Sequence, residues 1–285
     1  MVTADGAPAG ESFLRTYHDR TPGSMGRSVL ANHLPDGRTS YQLLADRVAG
    51  ARQVLDLGCA DGTLLADLAR NGVLELAGVD LSEGEVALAR RRPELVGADL
   101  RVGRAQELPF ADDAFDAVVS HMAFMLMSDV EQVSAGVARV LRPGGRFAIT
   151  VGAGPVPGGA LELFLSLARP VFATLPAERR VPPLGDRRTR SRAGLDELLT
   201  PAGFEPVSWE EFPLELSGTP EQVWESAVPS YYEMAQLDDE QVATLRGDFI
   251  ARASALSSAE VVTGGARIAV ATARRAALSS AEHMN

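Results

Sequence analysis

From Gln53 to Val151, short apolar runs alternate with stretches of helical period, and this alternation restricts the fold more than any other feature of the chain. "QVLDL" (53–57) predicts a strand, and "DGTLLADLARNG" (61–72) predicts a helix closed by Gly72. "LELAGVDL" (74–81) predicts a second strand, and "EGEVALARRRPE" (83–94) a helix stopped near Pro93. "ADLRVGRA" (98–105) and, after the turn "FADDA", "FDAVVSHM" (115–122) supply a third and a fourth strand. "SDVEQVSAGVARVLRPGG" (128–145) predicts an amphipathic helix with Ser128 as N-cap and Pro143-Gly144-Gly145 as its stop, leading into a fifth strand, "RFAITVG". Successive strand–helix–strand units take the right-handed crossover, so the expectation is a doubly wound α/β sheet. Such a sheet binds its ligand in a crevice at the carboxyl ends of its strands.

After Gly152 the rhythm changes. "GALELFLSLARPVFATL" is amphipathic, "ERRVPPLGDRRTRSR" is a polar loop, and "SRAGLDELLTPAGF" predicts a helix that starts near Ser191. "EPVSWEEFPLEL" and "GARIAVATARR" predict two more strands, separated by helical patterns over 220–234 and 238–256. No linker or repeat divides the chain, so one domain over 41–285 is expected, preceded by a segment over 1–40 and carrying helical insertions near 155–190 and 219–258.

The formal charge of −11 argues against a nucleic-acid partner, because phosphate contacts draw on surplus cations. All 27 basic residues are Arg, which removes lysine Schiff-base chemistry. One cysteine excludes an internal disulfide. The first twelve residues lack a basic start and an apolar core, and no apolar run reaches the roughly 18 residues of a membrane span. A cytoplasmic protein without a membrane partner is expected, with a homodimer open to it.

The ligand is narrowed by three acids. The first loop reads Asp56-x-Gly58-x-x-x-Gly62, not the G-x-G-x-x-G of dinucleotide binders. Asp56 and Asp61 would repel a pyrophosphate but welcome an ammonium group. Asp80 ends the second strand, where a carboxylate can accept both hydroxyls of a ribose. An adenosine carrying positive charge in place of phosphate meets both conditions.

"VLDLGCADGTLL", "AGVDLS", "LPFADDAFDAVVS" and "LRPGGRFAIT", in that order, resemble the class I S-adenosylmethionine-dependent methyltransferases, especially those acting on small molecules. The likeness is strong over about 43–151. It implies a Rossmann-like, seven-stranded sheet with the last strand antiparallel, and inserted helices that act as lids. It implies S-adenosyl-L-methionine as cofactor and a small-molecule acceptor. Asp56 and Gly58 would serve the methionine end of the cofactor, with Cys59 in the same loop, and Gly62 would let the next helix start close to the ligand. Asp80 would hold the ribose, Leu81 would pack on the adenine, and Ala105 and Gln106 fall at the adenine edge. The family often has Asp just before that Ala. Here it is Arg104, which has no acceptor, so Gln106, a backbone carbonyl or a water must receive the adenine amino group.

Methyl transfer to a hydroxyl also needs a proton acceptor. His121, leaving the fourth strand, is a candidate general base or cofactor contact, and His18 is a second candidate base. Within the resemblance the N-terminal segment covers the cofactor, which brings Tyr17 and His18 over it. Met122, Met125, Phe164, Tyr231 and Tyr232 are candidate acceptor contacts. The 187–192 arginines are candidates for an anionic acceptor group or for an ordinary solvated loop. No His/Cys cluster has ligand spacing, so no metal is expected. Oxygen is the expected acceptor atom; nitrogen, carbon, or a cyclase that reuses the fold without methyl transfer are the alternatives, and a nicotinamide dehydrogenase is disfavoured by its missing glycine pattern.

Overall fold

The computed structural model describes residues 8–228, 231–256, 261–262 and 264–277. Three helices precede the sheet: α1 (Ala9–Arg20), α2 (Ser24–Ala31) and α3 (Ser40–Arg47). Then β1 (Gln53–Leu57), α4 (Thr63–Arg70), β2 (Glu75–Asp80), α5 (Glu83–Ala89), β3 (Asp99–Val102), β4 (Phe115–His121), α6 (Val130–Val140) and β5 (Leu141–Pro155) follow the predicted alternation. The remainder is α7 (Ala160–Thr174), α8 (Arg192–Leu199), β6 (Ser208–Leu214), α9 (Pro220–Ala227), α10 (Asp239–Leu256) and β7 (Ala266–Arg274).

The seven strands lie in the order β3-β2-β1-β4-β5-β7-β6, with β7 antiparallel to both of its neighbours. Strand order reverses between β1 and β4, which opens the crevice. The parallel register brings the ends of β1, β2 and β4 to one edge: Asp56 lies opposite Gly78 and Val119, and His121 opposite Thr150. Both faces are covered, as a parallel sheet requires. Leu55, Leu57 and Val118 enter one apolar cluster, while Val54, Ala117 and Val119 enter the other, all fully buried. Each large side chain so removed from water contributes about 1.5–3 kcal/mol. A third cluster joins α7, α9 and α10 through Phe164, Trp224 and Phe249, and α7 shares a cavity with Met122 and Gly152 at the carboxyl ends of β4 and β5.

Three local expectations are corrected. The N-cap of α6 is Asp129 in left-handed backbone, not Ser128, whose hydroxyl is drawn instead to Glu11 at 2.6 Å. That helix also ends at Val140 rather than at the Pro-Gly-Gly turn, because Leu141 pairs with Phe115 and the sheet captures the chain earlier. Of the helical pattern over 220–234, α9 covers Pro220–Ala227 and a 3-10 helix covers Tyr232–Gln236, so the single helix expected is divided into separate elements.

Candidate active site

The loop after β1 turns tightly over the end of β2. The Gly58 and Cys59 N–H groups both donate to the Val79 carbonyl, at 2.8 and 3.1 Å. Gly58 has φ +80°, and a Cβ there would stand 2.4 Å from the Ala123 Cβ, so both conformation and space demand glycine. Ala60 is held at φ +43°, and its N–H donates to Asp80 Oδ2 at 2.9 Å. The Ser82 N–H donates to Asp80 Oδ1 at the same distance. Each Asp80 oxygen accepts one backbone hydrogen bond and keeps a second lone pair, and Asp80 lines the crevice. Burial raises its carboxyl above the ordinary range, partly offset by these backbone donors.

Asp56 is buried, and its Oδ1 has no hydrogen-bond partner among the described residues. Burial first, then the nearby Asp80 and Asp61, push its carboxyl well above the ordinary range. An orphaned buried carboxylate is costly, and an ammonium group would relieve it. Asp61 is spent otherwise: Oδ1 accepts from the Thr63 hydroxyl at 2.8 Å and Oδ2 pairs with Arg92 at 2.6 Å. Asp56 and Asp80 are thus the two of the three acids left to meet a positively charged nucleoside.

Three adjoining cavities run along the carboxyl edge. The first, about 90 Å³, is bounded by Glu11, Leu14, Asp80, Leu81, Ala105 and Gln106. The second, about 200 Å³, contains Asp56, Cys59, Tyr41 and His121, and shares Gly58, Asp80 and His18 with the first. The third, about 760 Å³, is mostly apolar and shares Met122, Met125, Leu126 and Tyr232 with the second. Met122 has φ +56°, a strained value for a side chain of its size, at the wall between them.

The missing carboxylate at position 104 comes from α1. Glu11, 3% exposed, accepts from Arg104 Nε at 2.7 Å, Gln106 Nε2 at 2.9 Å and the Ser128 hydroxyl at 2.6 Å. Burial opposes its charge, but the Arg104, Ser128 and Gln106 donors prevail and hold its carboxyl below the ordinary range. Because Gln106 Nε2 also donates to the Ser128 carbonyl at 2.8 Å, the amide orientation is fixed and its oxygen is left as the acceptor. Sequence reasoning missed Glu11; an arginine standing where the family has an acid was the available signal that a distant acid must return.

Not every candidate reaches the cavities. Tyr17 lies behind Tyr232, ring centroids 4.8 Å apart, and lines none of the three. Gly62 also lines none; its missing Cβ makes room for Leu95 and Ala89, so it serves helix packing rather than ligand approach. Phe164 is buried against Trp224, Tyr231 and Phe249, and the other face of α7, with Leu161 and Leu165, lines the third cavity instead. Tyr231 does line it. Cys59 is buried, which pushes its thiol far up and makes it a poor nucleophile. His121 Nε2 lies 2.8 Å from the Ser40 hydroxyl and its ring 4.4 Å from Tyr41, with burial lowering its pKa to about 3. An imidazole so reluctant to protonate is a weak proton acceptor. Of the 187–192 arginines, Arg188 is paired with Asp186, Glu131 and Glu197, while Arg190 lines the third cavity with Met125 Sδ 3.5 Å away. Among the described residues no group of three His, Cys, Asp or Glu is placed to hold a metal, and no helix is long and apolar enough to cross a membrane.

Residues 55–149 match the family model described as a methyltransferase domain. That stretch is thus similar to methyltransferase domains, and a probable S-adenosylmethionine-dependent methyltransferase of Mycolicibacterium smegmatis is 36% identical over 170 residues, covering 58% of this chain and 56% of that one. The chain is 35% identical over 156 residues to methyltransferase GfsG of Streptomyces halstedii, a match covering 53% of this chain and 55% of that one. A fatty-acid O-methyltransferase of Mycolicibacterium smegmatis is 37% identical over 118 residues, covering 40% and 43%. The chain thus spans about half the length of the curated relatives it matches. The methyltransferase fold extends further: phosphoethanolamine N-methyltransferase 2 of Haemonchus contortus, solved with S-adenosyl-L-methionine, superposes with TM-score 0.55 at 18% identity over 93% of this chain and 60% of that one. The [4+2]-cyclase SpnF superposes with TM-score 0.51 at 23% identity over 84% and 80%.

The residues present suit S-adenosylmethionine. The unpartnered Asp56 fits an ammonium group, Asp80 a ribose, and Leu81 with the fixed Gln106 amide an adenine.

Proposed function

We propose that this protein transfers a methyl group from S-adenosylmethionine to an oxygen of a small, partly apolar metabolite, in natural-product biosynthesis. One observation carries the reading: the 760 Å³ apolar cavity shares the Met122–Met125 wall with the compartment that holds Asp56. Its size is in the range of small-molecule sites. An acceptor there would meet the methionine end of the cofactor through a short, dry contact, the geometry that in-line transfer requires. The names of GfsG and the fatty-acid O-methyltransferase support a small or lipid-like acceptor.

The cofactor, when bound, supplies an electrophilic methyl on a sulfonium. The chain's own residues must place the acceptor oxygen, exclude water and take a proton. His18 borders both the first and the second cavity and is the better placed of the two candidate histidines.

Calorimetry with S-adenosylhomocysteine tests the cofactor half; no binding would remove the reading. Isotopically labelled methyl donor, presented with a metabolite extract, tests the other half. A product heavier by one methylene unit and cleaved as an ether or ester supports oxygen transfer. An isomer of unchanged mass would make the protein a cyclase on this fold, and a methylated amine or carbon would move the acceptor atom.

A further inference from the structure

One buried and two half-buried polar groups, from three separate elements, meet between the cofactor crevice and the acceptor cavity. His18, on α1, has Nε2 3.1 Å from the Tyr232 hydroxyl. Its Nδ1 lies 3.5 Å from Glu85 Oε1, and neither of those two atoms has a hydrogen bond among the described residues. Glu85 sits in the first turn of α5, its side chain 1% exposed, with its other oxygen accepting from the Gly23 N–H at 2.9 Å. Nothing in a helix turn requires a fully buried glutamate, so its position asks for a partner that carries positive charge at some stage.

We propose that Glu85, His18 and Tyr232 form a proton relay that acts as the general base for an acceptor hydroxyl, with Tyr232 as the group that touches the acceptor; this rests on the oxygen-methylation reading above. Tyr232 is the member that reaches the reaction space, since it lines both the second and the third cavity. Edge-on packing against Tyr17, at 4.8 Å, and Phe13, at 5.9 Å, fixes the ring, while burial raises its phenol and keeps it protonated unless a base relieves it. With the Nδ1 proton directed at Glu85, Nε2 is the acceptor of the phenolic proton. As the acceptor oxygen forms its bond to the methyl carbon, the S–CH3 bond breaks and its electron pair stays on sulfur. The hydroxyl proton passes to the Tyr232 oxygen as the Tyr232 proton passes to His18. The imidazolium so formed lies against the Glu85 carboxylate, with Asp80 also nearby, and later gives its proton to water. Groups facing His18 are Glu85 from α5, Asp80 from β2, Tyr17 from its own helix and Tyr232. Asp19, its neighbour in sequence, is engaged with the Ser82 hydroxyl at 2.6 Å. Glu85 is a positioning residue. Because α1 and the Tyr232 turn come from opposite ends of the chain, the base is assembled only when both lie over the crevice.

The test uses the full chain with 15N-labelled histidine, of which there are four, with and without S-adenosylhomocysteine. His18→Asn assigns the resonance. The relay predicts a His18 proton resting on Nδ1, an Nε2 resonance that moves in Tyr232→Phe, and an Nδ1 resonance that moves in Glu85→Gln. A proton resting on Nε2, or resonances unmoved in both variants, would overturn it. In the labelled-methyl assay, Tyr232→Phe and His18→Asn are expected to lose at least 100-fold in incorporation, the scale of a lost general base. Their affinity for S-adenosylhomocysteine should stay within threefold; undiminished incorporation would equally overturn the relay. Failure of the wild type to bind S-adenosylhomocysteine would sink the methylation reading itself and leave the histidine spectra to decide the geometry.

Discussion

Asp56→Asn should make the protein more stable and less able to bind its cofactor, and the two effects have one cause. Asp56 is a buried carboxyl with an unpartnered oxygen, lifted well above 3.8 by desolvation and by Asp80 and Asp61. For an acid whose pKa is raised by folding, the unfolded chain releases its proton first. The cost is absent below the unfolded pKa, grows as pH rises, and is complete above the folded one. Each pH unit of elevation costs about 1.4 kcal/mol at pH 8. Asparagine keeps the shape and removes the charge, so its melting temperature should exceed that of the wild type at pH 8, and the difference should close as pH falls towards the unfolded pKa near 3.9. Binding should move the other way. A charge-assisted hydrogen bond to the cofactor's ammonium group is worth about 1.5–3 kcal/mol, so calorimetry with S-adenosylhomocysteine should show affinity lower by roughly 10- to 150-fold. Wild-type binding should also strengthen with pH and release protons, as the ammonium group draws the carboxyl into its ionised form. A variant that is less stable at pH 8 yet binds undiminished would show that Asp56 is a structural strand end and nothing more.

Asp80→Ala removes the acceptor of the Ala60 and Ser82 N–H groups together with the ribose partner, so S-adenosylhomocysteine affinity should fall at least tenfold in calorimetry, with a lower melting temperature. Glu11→Gln leaves Arg104 with only the exposed Glu107 as counter-ion and should weaken cofactor binding about three- to tenfold while sparing the stability of the sheet, read by calorimetry beside thermal unfolding. His121 is held neutral by burial, its pKa lowered from 6.5 to about 3. The unfolded chain therefore takes up the extra proton, and stability is lost as pH drops below 6.5, by up to about 1.4 kcal/mol per unit. His121→Gln should flatten that acid slope in denaturant titrations at pH 4–7. Gly58→Ala should cost about 1–3 kcal/mol through its left-handed backbone and the clash with Ala123, measured as a shift in the urea midpoint.

The sheet was legible because β1, β2 and β4, and the Phe147–Val151 part of β5, are short and mostly apolar runs, as strands buried on both faces are. Asp56 and Asp80 were legible for the same reason, as acids placed where such a run stops. What the sequence hid are contacts that join segments far apart in the chain. Glu11 meets Arg104 across 93 positions and His18 meets Tyr232 across 214, and neither pairing leaves a local period or spacing. Phe164 misled because amphipathic helices inserted over a sheet have two apolar faces to satisfy: one met Trp224 and Phe249, the other the cavity, and composition does not say which residue goes where. The pattern has a physical root. The cofactor half sits on strand ends whose register is fixed by the core, whereas the proposed acceptor half and its proposed base come from helices and a turn that gain their positions only by packing on that core. Variation in α1, α7 and the Tyr232 turn can therefore change the acceptor while the Asp56–Asp80 pair stays in place, and a chimaera exchanging those three segments with GfsG should keep its affinity for S-adenosylhomocysteine within about threefold and exchange its acceptor. Loss of cofactor binding in such a chimaera would show that the lid elements, Glu11 above all, hold the adenosine more firmly than the strand ends do.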